Sequence, residues 1–159
     1  MKTVEREKAL LYLGLSRNWK KGLTWAGLAS LALILYFVVV HLGVLNKSIT
    51  FNLTLHDWLN TILLVGIIEE IVFRGFLLRK LRESFRFWNA NVVTSLLFVS
   101  IHFPIWIYKD LFVFPYILTA ITTSFVLSML FGYIYKRSNS LWSVIIIHSL
   151  YNLLVSVFY

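Results

Sequence analysis

The sequence predicts an all-α fold, a polytopic membrane helix bundle, and three observations support this prediction. Hydrophobic residues make up 59% of the 159 residues and charged residues only 14%, whereas soluble domains are about half apolar and about a quarter charged. Several apolar runs approach twenty residues, the length that crosses ~30 Å of hydrocarbon as a helix. The Lys and Arg residues also gather in alternate connections between these runs.

Five membrane spans are expected, following a cytoplasmic or interfacial N-terminal segment of residues 1–22. They form one membrane-embedded domain, residues 23–159. Pro104 and Pro115 flank the third connection, where helices are expected to end or kink. The five spans are approximately Leu23–Leu45, Trp58–Leu78, Ala90–Ile107, Phe112–Tyr135 and Leu141–Phe158.

The basic residues predict the orientation of the bundle. They are concentrated before the first span and in the connections after the second and fourth spans, while the other two connections hold only Lys47 and Lys109. The positive-inside rule then places the N-terminus in the cytoplasm and the C-terminus outside, and a multi-pass protein of the cell membrane is expected. The cytoplasmic set is Lys2, Arg6, Lys8, Arg17, Lys20, Lys21, Arg79, Lys80, Arg82, Arg86, Lys136 and Arg137.

Composition excludes several classes of function. The chain has no cysteine, so disulfides, thiolate catalysis and thiolate metal sites are absent. The net charge of +8 is typical of basic cytoplasmic loops in a membrane protein, and no nucleic-acid partner is expected. The lipid bilayer is the expected environment and partner of the protein.

Ionisable residues inside three of the spans indicate a functional site. Glu69, Glu70 and Arg74 lie in the second span, His102 in the third and His148 in the fifth. Each such group at bilayer depth costs a few kcal/mol or more, so it normally faces a polar protein interior. Counted at ~1.5 Å per residue, all of them fall near the midplane or in the cytoplasmic half. They are therefore expected to meet in one site.

The spacing of these residues within their helices suggests a role for each of them. Glu70 and Arg74 are four residues apart and share a helix face, whereas Glu69 lies about 100° away and remains available. His148 and Asn152 are also four apart. A carboxylate with an imidazole can deprotonate a water, and a second imidazole with an amide N–H can stabilise an oxyanion. These are the parts needed to hydrolyse an amide.

The same residues leave two chemical variants of this hydrolysis. A serine nucleophile has little support because the chain lacks a Gly-x-Ser-x-Gly elbow. Zinc held by His102, His148 and Glu69 is the alternative to a site without a cofactor, because two histidines and a glutamate are a known zinc set. A His-Glu-x-x-His pattern is missing, however.

Three ordered motifs resemble those of the CPBP (also called ABI) family of intramembrane proteases, the prokaryotic relatives of the type II CAAX prenyl endopeptidase. The resemblance covers about residues 58–159, which would form the catalytic core. The motifs are Glu69-Glu70-x-x-x-Arg74, Phe98-x-x-x-His102 and His148-x-x-x-Asn152.

The resemblance implies an intramembrane endopeptidase with a peptide or protein substrate. It implies that Glu69 and His102 activate the attacking water and that His148 and Asn152 stabilise the oxyanion. Glu70 and Arg74 would shape the site. The site would open towards the cytoplasm, and the resemblance decides neither whether the substrate is prenylated nor the oligomeric state.

Other interpretations remain open at this point. A non-catalytic membrane protein of bacteriocin self-immunity, acting by binding, is the main alternative, and an ion or proton pathway is a further one. Gly66 is expected to allow close helix packing. His41 and His56 are expected to be interfacial.

Overall fold

The chain is all-helical over the residues that the computed structural model describes, 2–16 and 18–158. Three of the basic residues that predict the orientation are affected: Arg17 and the side chains of Lys2 and Arg6 lie outside the described part. Six helices follow one another: α1, Lys2–Leu13; α2, Trp19–Val44; α3, residues 57–81; α4, Phe87–Tyr108; α5, Tyr116–Ser138; and α6, Leu141–Phe158.

Four of these helices, α2, α4, α5 and α6, are long and apolar enough to cross a membrane. The chain is therefore a multi-pass membrane protein. The second predicted span corresponds to α3, which is continuous but carries Glu69, Glu70 and Arg74 in its apolar stretch. The predicted total of five spans thus depends on α3.

The break that Pro104 predicts in the third span is confirmed. In α4, the helical pieces Phe87–Ser100 and Phe103–Tyr108 are joined by a turn at Ile101 and His102. Pro104 falls in the first turn of the second piece, where its missing N–H is tolerated. His102 therefore lies at the junction of the two helical pieces.

Two other boundaries differ from the prediction. The N-terminal segment contains the helix α1, and α2 begins at Trp19, earlier than the predicted Leu23. Helix α5 covers Tyr116–Ser138 instead of Phe112–Tyr135, because the apolar residues before Pro115 form the connection. A purely apolar run cannot distinguish a membrane-facing loop from the first turn of a span.

Helix α3 begins at a reciprocal cap and is unusually wound. The Thr54 backbone N–H and hydroxyl donate to Asp57 Oδ2 at 2.9 and 2.7 Å, and the Asp57 N–H donates to Thr54 Oγ1 at 3.2 Å. The stretches Asp57–Leu64 and Ile71–Leu78 are π-helical, with the α-helical Val65–Glu70 between them. The two glutamates therefore lie at a change of helical winding, a feature common near functional sites.

Small residues allow the helices to approach closely. Helix α3 packs on α6, α2 along α6, and α4 along α5. At Gly66, an added Cβ would lie 2.7 Å from Ser149 Oγ and 3.2 Å from the Ser149 nitrogen. The close packing predicted for Gly66 is confirmed, and it brings the glutamate-bearing helix against the histidine-bearing one.

Gly132→Ala is expected to destabilise the protein by ~1–3 kcal/mol through overpacking. Gly132 of α5 faces Asn91 of α4, which is fully buried and donates to the Met129 carbonyl at 3.0 Å, and an added Cβ would overlap Asn91 Oδ1. The midpoint of thermal unfolding in detergent measures the effect. The control is Gly27→Ala in α2, where no atom lies within 4 Å of the added Cβ; equal midpoints for the two variants would contradict this account of α4–α5 packing.

Basic residues from separate segments meet at one end of the bundle, here called the basic end and defined by Arg79, Arg82, Lys136 and Arg137. Arg79 donates to the Tyr135 hydroxyl at 3.1 Å. The Arg82 guanidinium carbon and Lys136 Nζ lie 5.7 and 4.2 Å from the Phe87 ring centroid, and the Arg137 guanidinium carbon lies 6.0 Å from the Trp25 ring centroid. The segments that the charge pattern assigned to one side of the membrane are therefore neighbours.

His41 is buried between two helices near the end of α2, and its interfacial depth stays a prediction. The His41 ring is buried and stacks on Phe37 with centroids 4.6 Å apart, and its centroid lies 5.3 Å from that of Phe158. It forms part of the contact between α2 and α6. The position of His41 near a predicted span end did not predict this burial, because the residues that cover its ring include Phe158 of another helix, α6.

Candidate functional site

A fully buried ion pair lies at the centre of the site. Arg74 Nη1 donates to Glu70 Oε1 at 2.9 Å, and neither side chain is exposed. Arg74 Nη2 donates to both the carbonyl and the hydroxyl of Ser128, at 2.9 and 2.6 Å. The guanidinium carbon also lies 4.9 and 5.5 Å from the ring centroids of Phe98 and Phe131, within cation–π range. Arg74 thus joins α3 to both α4 and α5.

The same carboxylate holds His148. Glu70 Oε1 lies 2.8 Å from His148 Nδ1, and a carboxylate paired with a guanidinium is ionised and only accepts hydrogen bonds. His148 Nδ1 therefore carries the proton that is donated to Glu70. The other ring nitrogen, Nε2, lies 3.7 Å from Glu69 Oε2. Glu70 fixes the orientation of the imidazole.

Glu69 is placed differently from its neighbour. Its side chain is 18% exposed, whereas that of Glu70 is fully covered. Glu69 Oε2 is buried and has no hydrogen-bond partner among the described residues. Glu70 is therefore used within the protein, whereas Glu69 keeps part of its side chain exposed.

The turn in α4 sets the tautomer of His102. Its backbone N–H donates to the Val99 carbonyl at 3.0 Å, and its Nδ1 lies 2.7 Å from the Phe98 carbonyl oxygen. A carbonyl oxygen only accepts, so Nδ1 is the protonated nitrogen. In the neutral ring Nε2 then has a free lone pair, which is the state required of a base.

Asn152 is also oriented by a backbone group. Its Nδ2 donates to the Thr61 carbonyl on α3 at 3.1 Å, which fixes the amide because Oδ1 cannot donate. The second N–H of Nδ2 remains available. Asn152 lies one turn after His148 on α6, so both face the same region.

The structure brings Glu69, His102, His148 and Asn152 together on the wall of one cavity of about 860 Å³. Its volume is in the range of ligand pockets, and α3, α4, α5 and α6 all contribute to it. Glu70 and Arg74 lie behind the wall. The other polar residues of the wall are Asn60, Thr61, Lys109, Ser124, Tyr151 and Ser156.

The cavity extends towards the end of the bundle opposite the basic end. Asn60 lies in the first turn of α3, Lys109 directly follows α4, and Ser156 lies in the last turn of α6. All three helix ends are far along the chain from the residues of the basic end. Access to the site from the cytoplasm stays a prediction.

Zinc is not supported by the placement of the donor atoms. Among the described residues, no group of three His, Asp or Glu side chains is arranged to hold a metal ion. Glu69 and His148 approach each other, but His102 does not complete a three-ligand set with them. The predicted zinc alternative therefore does not fit this arrangement.

Sequence reasoning missed the partners that neighbouring helices supply. Ser128 holds Arg74 from a position 54 residues away, and the Thr61 carbonyl holds Asn152 from 91 residues away. No spacing in the sequence relates these pairs. A serine or threonine on an apolar helix is the one available signal, because such side chains commonly form contacts between helices in membranes.

Comparison with known families agrees with the three motifs. The family model described as Rce1-like type II CAAX prenyl endopeptidase matches residues 51–154, a range that contains Glu69, Glu70, Arg74, His102, His148 and Asn152. No curated protein and no solved structure matched the chain. The predicted resemblance to CPBP proteases is thereby confirmed, and the chain belongs to the Rce1-like family of type II CAAX prenyl endopeptidases.

Proposed function

We propose that this protein is an intramembrane endopeptidase in which Glu69 and His102 activate a water that attacks a peptide bond. The observation that carries the proposal is the cavity wall formed by Glu69, His102, His148 and Asn152. A base and a donor on separate helices converge there. Membership of a family of endopeptidases supports the reaction class.

The first step is activation of the water. The Glu69 side chain is 18% exposed, and His102 keeps Nε2 as an acceptor because Nδ1–H is bound to the Phe98 carbonyl. A water that donates one hydrogen to each of them gains nucleophilic character. General-base catalysis of this kind contributes about 10²–10⁴-fold. The proton removed from the water later passes to the amide nitrogen as the C–N bond breaks.

The second step is stabilisation of the oxyanion that forms on the carbonyl oxygen. The free N–H of Asn152 is one donor, and His148 Nε2 is the other. Because His148 Nδ1–H is held by Glu70, Nε2 can donate only when the ring is an imidazolium. Two carboxylates, one guanidinium and one imidazolium then sum to zero charge in the site.

The proposed membrane arrangement has five spans, with α3 as the second. About 20 residues suffice to span the hydrocarbon, and residues 57–81 exceed this number. The charged Glu70 and Arg74 are covered by protein, as intramembrane charges require. In this arrangement the N-terminus and the basic end lie in the cytoplasm, and the segment 1–22 is cytoplasmic or interfacial. Residues 23–159 form one domain embedded in the cell membrane.

Cleavage of a quenched fluorescent peptide library by the purified full chain in lipid tests the proposal. We expect cleavage that survives a strong chelator, with the bond identified by mass spectrometry. Activity that stops with chelator and returns with zinc would contradict the metal-free mechanism. A folded protein that cleaves nothing would favour the alternative of a binding protein of bacteriocin immunity.

A further inference from the structure

We infer that an anionic phospholipid binds at the basic end, with its phosphate in a pocket between α3 and α5 and an acyl chain in a groove along α5. The pocket, here called the basic pocket, has a volume of about 240 Å³. It shares no residue with the wall of the central cavity, so this site is separate from the proposed hydrolysis. The basic pocket is lined by Arg79, Arg82, Glu83, Tyr135, Lys136 and Asn139.

The charges on the wall of the basic pocket are not balanced. The wall carries the three cations Arg79, Arg82 and Lys136 and one carboxylate, Glu83, which is already paired with Lys80 at 2.7 Å. Among the described residues, no Asp or Glu lies within ion-pairing distance of the three cations. A surplus of positive charge in a concave site attracts anions. A phosphate group fits best, because guanidinium groups bind it through paired N–H donors.

Arg79 is held in position by aromatic side chains from two other helices. Its guanidinium carbon lies 4.6 Å from the ring centroid of Tyr12 in α1, and its Nη1 donates to the Tyr135 hydroxyl in α5 at 3.1 Å. A guanidinium group has five N–H donors, so this hydrogen bond uses one and leaves others for an anion. Because these contacts fix the side chain before the ligand arrives, binding costs little side-chain entropy.

Phe87, the first residue of α4, connects the basic pocket to an apolar groove. The Arg82 guanidinium carbon and Lys136 Nζ lie 5.7 and 4.2 Å from the Phe87 ring centroid. The Phe87 ring also contacts Trp88 with centroids 5.0 Å apart, and Trp88 stacks on Tyr133 at 6.0 Å. Trp88 and Tyr133 both line the groove. Two cations of the pocket and the wall of the groove therefore meet at one aromatic ring.

The groove has the character of a site for a hydrocarbon chain. Its volume is about 290 Å³, and it follows α5 away from the basic end for eight residues, or ~12 Å. Trp88, Val126 and Leu130 are exposed, so the groove is open at the surface of the bundle. Aromatic, aliphatic and thioether side chains form its wall: Trp88, Phe125, Val126, Met129, Leu130 and Tyr133.

The combination of pocket and groove favours a lipid headgroup over free phosphate as the ligand. In a membrane, lipid chains are as apolar as the side chains they touch, so the groove alone does not select one lipid. The basic pocket next to it selects by charge. The proposed orientation also places the basic end at the cytoplasmic surface, where anionic lipids are found and where basic pockets between membrane helices bind their headgroups.

Thermal unfolding of the purified, delipidated full chain in mixed micelles tests the inference. The anionic lipid is phosphatidylglycerol, and phosphatidylcholine with the same chains is the comparison without net charge. Inorganic phosphate and glycerol 3-phosphate supply the phosphate without a chain. A ligand that binds only the folded state raises the midpoint. We therefore expect a saturable rise with phosphatidylglycerol and no comparable rise with the other three additives at equal concentration.

The comparison arms also define the results that would overturn the inference. An equal rise with phosphatidylcholine would show that charge does not select the lipid. An equal rise with inorganic phosphate would show that the pocket binds phosphate without needing a chain. No rise with phosphatidylglycerol would show that the site does not bind this class of lipid.

Two double variants assign the effect to the basic pocket. Arg82→Gln with Lys136→Gln removes two exposed cations from its wall and should weaken phosphatidylglycerol binding at least about tenfold, since each basic residue contributes to holding an anionic headgroup. The matched control, Lys20→Gln with Lys21→Gln, removes the same charge from exposed positions in the first turn of α2 and should bind like the wild type. Equal losses in both would indicate unspecific attraction and contradict a defined pocket.

Leu130→Trp tests the groove, because the larger side chain at this exposed position occupies the groove without entering the core. We expect it to lose most of the rise in midpoint. Leu118→Trp makes the same change at an exposed position of α5 outside the groove and should keep the rise. If Leu130→Trp also kept the full rise, the groove would not hold the chain and the lipid assignment would be wrong.

These measurements are independent of the proposed function. Binding in micelles requires neither hydrolysis nor a membrane with two sides, so a protein that cleaves no peptide still gives a result. Each variant is first compared with the wild type without added lipid. If the Arg82→Gln and Lys136→Gln double variant is unstable there, Lys136→Gln alone is compared with Lys20→Gln alone in the same way.

Discussion

Arg74→Met is expected to destabilise the protein by ~3–5 kcal/mol, the cost of leaving a buried charge without its partner. Glu70 is fully covered and accepts hydrogen bonds from Arg74 at 2.9 Å and from His148 Nδ1 at 2.8 Å, of which only the first comes from a guanidinium. The substitution also removes two hydrogen bonds to Ser128. Unfolding of the detergent-solubilised protein by heat or by added denaturing detergent measures the loss.

Two further variants show whether the cost comes from the buried charge. Lys80→Met breaks an ion pair to Glu83 in which both side chains are more than half exposed, and such pairs contribute little. Glu70→Gln combined with Arg74→Met removes both charges, so it is expected to be more stable than Arg74→Met alone. A double variant that is less stable than Arg74→Met would contradict the ion-pair account.

Glu69→Gln is expected to lower kcat by about 10²–10⁴-fold, the usual contribution of a general base. Stability should stay near that of the wild type, because Glu69 Oε2 has no hydrogen-bond partner among the described residues. The amide keeps the shape of the side chain but cannot accept a proton from water. Initial rates on the peptide found in the library measure the effect.

The matched control is Glu83→Gln, the same change at an exposed position of the basic end. It should leave kcat unaltered. If Glu69→Gln retained the wild-type rate, the water would have to be activated elsewhere. A large loss of stability in Glu69→Gln would instead assign this residue to the structure of the site.

The candidate residues could be predicted because charges in apolar runs are conspicuous. A carboxylate in hydrocarbon costs enough free energy that it persists only where protein surrounds it. The spacing of Glu70 and Arg74 also sufficed to predict that they share a face, since the helix itself brings i and i+4 together. Pro104 in the same way predicted the turn that sets the His102 tautomer.

What lies between helices could not be predicted in this way. Contacts such as Arg74 with Ser128 and Asn152 with Thr61 depend on how each helix is rotated and shifted against its neighbour. The sequence contains no short-range signal for either parameter. The direction in which the cavity extends also depends on how the helices pack. Counting residues along each helix gives the depth of a residue in the membrane, but it does not show which end of the bundle is tightly packed.

The most direct test of the central claim, that Glu69 and His102 act on one water, is the rate of the double variant Glu69→Gln/His102→Ala compared with both single variants. Residues that act as a unit give strongly non-additive losses. We predict that the rate of the double variant will be close to that of the slower single variant, within a small factor. A rate that falls by the product of the two single losses would show independent roles and contradict the account.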